Sequence, residues 1–197
     1  METIEVKLYT FEELSEDAQE RAIEKERESR YRDVDVPWWD ETKDTLNAFC
    51  ERFYVEWNDY GRYNSNFGAK RVRLDNYEGL SGLRLRTYLV NNFSDVLWKR
   101  KRYGEYRSKN RTSRIVYEET DCPFTGYGMD YTILQPIRDF IAKPTARTDY
   151  ECLMNDCLSE LSKAWNDEVE HWYSDEAIRE DLSYSDHLYD EDGDLWR

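Results

Sequence analysis

The side chains in this sequence whose types and spacing could do chemistry or binding are mostly charged, and they are sorted by position. From Arg62 to Arg114 there are 14 Lys/Arg against 4 Asp/Glu, a net charge of +10, with Trp98-Lys99-Arg100-Lys101-Arg102-Tyr103 at the centre. Residues 1–61 carry 8 basic and 18 acidic side chains, and residues 115–197 carry 6 and 21, so acidic arms of −10 and −15 bracket a basic middle. Lys99, Arg100, Lys101, Arg102, Arg107 and Lys109, interleaved with Trp98, Tyr103 and Tyr106, have the composition of a nucleic-acid groove, with cations for phosphates and rings for bases. Two plainer alternatives stand beside it: the basic face docks on the acidic arms, or it is a solvated helix end. The acidic arm offers the mirror image. Asp167, Glu168, Glu170, Asp175, Glu176, Asp190, Glu191, Asp192 and Asp194 could imitate phosphates and occupy the DNA channel of a nuclease, with exposed Tyr and Trp as anchors.

Catalytic and metal signatures are weak. The two histidines, His171 and His187, have no nucleophile elbow to serve, since Gly79-Leu80-Ser81-Gly82 has the wrong spacing. Gly126-Tyr127-Gly128 sits between a predicted strand and a predicted helix, where a dinucleotide loop belongs, but Tyr131 stands at the third glycine position and is too large for close packing. Asp190, Asp192 and Gly193 resemble part of a calcium loop whose first ligand position would be Leu188, so an acidic turn is the better reading. Cys50, Cys122, Cys152 and Cys157 form no C-x-x-C pair and read as small buried hydrophobes. No catalytic residue, metal ligand or cofactor is expected.

The elements that must position these charges follow from periodicity. Ile4, Val6 and Leu8 alternate as a strand does; Thr10 to Glu13 is a capping box, and Ser15 starts a surface helix with a narrow stripe of Leu14, Ala18, Ala22 and Ile23. After Pro37 a core-facing helix carries Trp39, Leu46, Phe49, Cys50 and Phe53, followed by a strand through Val55 and Trp57, a loop to Gly68 and a short strand or extended basic edge at Val72 and Leu74, alternating among Lys70, Arg71 and Arg73. Leu80 to Leu97 keeps a helical period, broken near Asn91-Asn92 and recapped at Ser94, and is expected to run on to Gly104. A strand at Arg114 to Glu119 and a turn-rich loop at Asp121 to Gly128 precede a helix through Ile133, Ile137 and Ile141, with Pro136 tolerable only near its first turn. The capping box Thr148 to Glu151 opens a long helix to Tyr173, Ser174 caps a shorter one through Leu182, and Asp192-Gly193 forms a closing hairpin tip. The sum is an α+β fold, a small mostly antiparallel sheet packed by about five or six helices, in a single domain spanning 1–197.

Composition narrows the class further. Mean hydropathy is −0.98, yet 15% of the residues are aromatic, which argues for a packed core rather than disorder. No apolar run is long enough to span a membrane and Met1-Glu2-Thr3-Ile4-Glu5 is not a leader, so a soluble cytoplasmic protein is expected.

The run Tyr9-Thr10-Phe11-Glu12-Glu13-Leu14-Ser15-Glu16-Asp17-Ala18-Gln19-Glu20-Arg21-Ala22-Ile23 resembles a family of small phage- and prophage-borne proteins, many of them uncharacterised or labelled antitoxin. The likeness extends to Trp38-Trp39, Leu85 to Tyr103, Asp121 to Asp130 and the tail around Glu191-Asp192-Gly193, and so covers most of the chain. Members follow the second helix with a Gly-Asp-Gly-containing loop; Tyr60 to Gly68 departs from that pattern. The resemblance implies a phage or mobile-element setting and supplies no catalytic residues. Setting and charge together suggest an anti-defence protein of anti-CRISPR type, a non-enzyme that blocks a host defence nuclease or nuclease–guide complex in the bacterial cytoplasm. The alternative is an antitoxin-like regulatory module that binds nucleic acid through the basic 62–114 segment.

Overall fold

The computed structural model describes residues 7–33, 36–58, 67–74, 77–102, 112–119 and 122–196. Among them are seven α-helices and two separate two-stranded antiparallel ribbons, an α+β fold. They fall into two compact units: a terminal unit of Met1–Pro37 with Asp167–Arg197, and a middle unit, Trp38–Asn166.

The terminal unit starts from its caps. Of the predicted first strand, residues up to Val6 lie outside the described residues, and Tyr9 makes a single antiparallel bridge to Tyr189. Thr10 heads one 3-10 turn, Phe11–Glu13, and its backbone N–H donates to the Glu13 carboxylate at 2.9 Å. Ser15 then accepts the N–H of Ala18 and starts α1, Glu16–Asp33. The narrow stripe of Leu14, Ala18, Ala22 and Ile23 is buried against Phe11, Ile178, Leu182 and Tyr189. Ile178 and Leu182 belong to α7, Asp175–Tyr184, which Ser174 caps by accepting the Ala177 N–H. The chain closes with Tyr189 bridging Leu195 around Asp192-Gly193, and Gly193 takes a left-handed φ of +79°.

The middle unit is built on α2, Trp39–Arg52, whose Leu46, Phe49 and Cys50 are buried with Phe53 just beyond. β1, Val55–Asn58, pairs with β2, Gly68–Val72, as the alternation there predicts. α3, Gly82–Asn92, and the one-turn α4, Ser94–Leu97, are separated at Phe93, where the Asn-Asn-Phe-Ser sequence breaks the period. The expected continuation of this helix to Gly104 does not form. Trp98 is already extended (φ −147°, ψ 145°) and Trp98–Arg102 is β3, paired with β4, Thr112–Glu119. After Leu97 no aliphatic residue recurs at helical spacing, so burial cannot hold a helix there, while β4 supplies a ladder partner.

Helix α5, Met129–Ala142, carries Pro136 in its interior, not in its first turn as the sequence suggested. The proline removes one backbone donor and costs about 3 kcal/mol in a helix. Buried Ile133, Leu134, Ile137, Phe140 and Ile141, at roughly 1.5–3 kcal/mol each, outweigh it. The long helix α6, Tyr150–Trp172, is capped by Asp149, which accepts the Cys152 N–H at 2.8 Å. Thr148, the expected cap, bonds Thr145 instead. From α6, Tyr150, Leu153, Cys157, Leu158, Leu161 and Trp165 fill the middle unit's core, and Tyr150 donates its hydroxyl to the Phe53 carbonyl at 2.7 Å.

Candidate functional site

The division into units is also a division of charge. The terminal unit holds 24 Asp/Glu and 8 Lys/Arg, a net of −16, whereas the middle unit holds 19 and 20, a net of +1. The whole formal charge of −15 is therefore carried by the terminal unit, and the middle unit offsets it by one.

Within that unit the predicted acidic residues divide into paired and unpaired sets. Asp192 and Asp194, in the closing turn, reach Arg21 at 3.4 Å and Lys25 at 2.5 Å on α1. Asp175 pairs with Arg27, which also pairs with Glu24. Asp190 turns its carboxylate to the backbone, accepting the N–H groups of Asp192 and Asp194 at 3.0 and 2.9 Å. That acceptance holds the Asp-x-Asp-Gly turn closed. Asp167, Glu168 and Glu170 at the end of α6, Glu176 on α7 and Glu191 in the turn are exposed, with no ion pair among the described residues. Exposed Glu16, Asp17, Glu20 and Glu28 of α1 add to them, and residues four apart on that helix rise about 6 Å, the wide, regular spacing of a polyanion. The sequence placed this helix on the surface with Glu20 and Glu28 on its wet face, but did not count these carboxylates in the acidic site.

Arg30 was missed altogether. It is 4% exposed as a side chain, lies 3.8 Å over the Trp172 ring, and donates to Glu26, to the Trp172 carbonyl and to Asp181. Arg21, Lys25, Arg27 and Arg30 of α1 thus pair with the acidic tail inside the terminal unit.

In the middle unit, Lys99, Arg100, Lys101 and Arg102 are consecutive on β3. Tyr103, Arg107 and Lys109 lie outside the described residues. A second basic group lies on and just beyond β2: Lys70, Arg71 and Arg73 line a cleft of about 770 Å³ with Tyr77, Glu78 and Glu151. Arg73 lies 3.6 Å from Glu56, and Tyr77 donates to Glu151 at 3.4 Å, whose negative charge raises the phenol's pKa. The outer face of α3 is different again. Leu83, Arg84, Thr87 and Asn91 are exposed on it, beside a shallow groove of about 480 Å³, and α3 contains no acidic residue.

The amides that lead into the Gly126-Tyr127-Gly128 loop are already used within the protein. The N–H groups of Phe124, Thr125 and Gly126 donate to Oδ2 of Asp130 at 2.8, 2.8 and 3.2 Å. Oδ1 accepts the hydroxyls of Thr45 and Thr125 at 2.7 and 3.0 Å, so a fully buried carboxylate ties the loop to α2 and α5. Cys50 and Cys157 are buried as expected, whereas Cys152 is exposed; burial pushes the Cys50 thiol up to about 12 and that of Cys157 well above its ordinary value, which makes both poor nucleophiles. No group of three metal-ligating side chains is present among the described residues, and no described helix is long and apolar enough to cross a membrane.

No protein-family model, curated protein or solved structure matches the chain.

Proposed function

We propose that the protein is a phage-encoded anti-defence protein of anti-CRISPR type, which binds a host nucleic-acid-targeting nuclease complex through its terminal unit and blocks it stoichiometrically in the bacterial cytoplasm. The observation that carries this reading is the segregation of charge, −16 on the terminal unit and +1 on the middle unit. A DNA-binding channel presents cations spaced for phosphates, and exposed carboxylates held on α1, α6 and α7 meet that requirement without a nucleic acid. Pairing of Asp175, Asp192 and Asp194 inside the unit assigns them to holding the fold, so Asp167, Glu168, Glu170, Glu176 and Glu191 are the docking set. The phage setting rests on the sequence resemblance. In a competition assay, the protein should displace labelled target DNA from purified RNA-guided nuclease complexes at near-equimolar concentration. Failure to displace DNA from any complex of a host panel would remove the reading.

A second reading, contact with nucleic acid through the basic 62–114 segment, is favoured by one observation on the middle unit. From Gly79 to Arg102 the sole acid is Asp95, and Arg52 neutralises it at 2.8 Å.

A further inference from the structure

We propose that the outer face of α3 is a duplex-DNA contact in which Arg84, Thr87 and Asn91 meet base edges in the major groove; this deepens the second reading and is independent of what the terminal unit binds. Positions 84, 87 and 91 are separated by three and four, so they share one side of the helix. All three are exposed, and Leu85 and Leu89 on the opposite side are fully buried, which fixes the outward face. Their chemistry is that of direct readout: arginine donates twice to guanine, asparagine pairs with adenine, and threonine offers a methyl to thymine. The Thr87 hydroxyl is already satisfied by the Leu83 carbonyl at 2.9 Å, which leaves the methyl as its contribution.

Charge selects the occupant. In a chain with 43 Asp/Glu, α3 is the one described helix that carries none. Arg86 is drawn inward to the Ile141 carbonyl at 2.9 Å, whereas Arg84 has no ion pair among the described residues. Leu83 is the one large aliphatic side chain strongly exposed on the face, at 70%, too little apolar surface for a protein helix to dock on. An α-helix about 10–12 Å across fits a major groove about 12 Å wide. One turn later, Lys99, Arg100, Lys101 and Arg102 follow one another along β3, on a ribbon joined to α3 through α4. The net charge of the whole chain does not forbid this, because charges beyond about 10 Å are largely screened at 0.1 M salt.

The test is fluorescence anisotropy with the full chain, using a labelled random-sequence 20-base-pair duplex and labelled oligothymidylate of equal length, at 100 and 200 mM NaCl. With four phosphates neutralised, duplex affinity should fall about twelvefold between the two salt concentrations. An R84A/N91A variant, with far-UV dichroism unchanged, should bind the duplex at least tenfold more weakly and enrich no motif from a random pool from which the wild type selects one. Absence of duplex binding by the wild type overturns both the proposal and the second reading. Affinity that survives R84A/N91A but is lost in K99A/R100A/K101A/R102A, or a preference for the single strand, overturns the α3 assignment and leaves the second reading standing.

Discussion

Arg30 of α1 and Asp181 of α7 are joined at 2.6 Å, with the guanidinium almost completely buried and the carboxylate 52% exposed. The asymmetry sets what each mutation does. Arg30→Ala should destabilise the protein by about 2–3 kcal/mol, short of the 3–5 expected for a fully buried pair, because three acceptors and the Trp172 face lose their partner while Asp181 can rehydrate. Asp181→Asn should cost less than about 1 kcal/mol. Urea denaturation of both variants checks this, and equal losses would mean that the pair itself, not burial of Arg30, dominates.

Asp130 collects five donors with its two carboxylate oxygens. Removing it strands three backbone amides, so Asp130→Ala should cost about 3–5 kcal/mol, while Thr45→Val, which removes one donor, should cost about 1. Denaturation midpoints of the two variants, measured side by side, give the comparison.

Gly193 and Gly126 separate two effects of glycine. Both have positive φ, +79° and +86°, but a Cβ on Gly193 would overlap the Ala18 carbonyl of α1, whereas one on Gly126 would meet nothing. Gly126→Ala should therefore cost about 1–2 kcal/mol from backbone conformation alone. Gly193→Ala should cost clearly more and loosen the closing turn, visible as faster amide exchange at Tyr189 and Trp196, whose N–H groups donate to Tyr9 and Leu188.

The capping box gives stability a pH dependence. Hydrogen bonds from the Thr10 backbone and side chain hold the Glu13 pKa below its ordinary value of 4.5. A depressed carboxylate pKa contributes stability that is complete above the unfolded-state value and is lost as pH falls through the folded-state value. Thermal melts from pH 6 down to pH 3 should show the wild type losing an increment that Glu13→Gln lacks throughout; parallel curves would contradict the assignment.

What the sequence made legible was what local chemistry decides. The core stripe of α2, the length of α6, the Ser15 and Ser174 caps and the break before Ser94 all follow from side chains within a turn or two of one another. What it hid depends on distant partners. β3 looked like a helix end because Lys99 to Arg102 has no apolar period, and its strand identity comes from β4. Arg30 looked like one more surface cation, since Trp172 and Asp181, 142 and 151 positions away, are what bury and bind it. Of the candidate acidic site, the charge excess was readable, but the sorting of Asp175, Asp192 and Asp194 into internal pairs was not, because Arg21, Lys25 and Arg27 lie at the other end of the chain.

The most direct test of the central claim compares wild-type protein with a D167N/E168Q/E170Q/E176Q/E191Q variant as inhibitors of DNA cleavage by an RNA-guided nuclease complex that the wild type blocks. These side chains are exposed and outside the internal ion pairs, so the variant should keep the wild-type melting temperature to within a few degrees. The expected result is at least a hundredfold rise in the concentration needed for half inhibition, with wild-type inhibition itself weakening as salt is raised. Equal inhibition by the folded variant would contradict docking through the terminal unit's carboxylates.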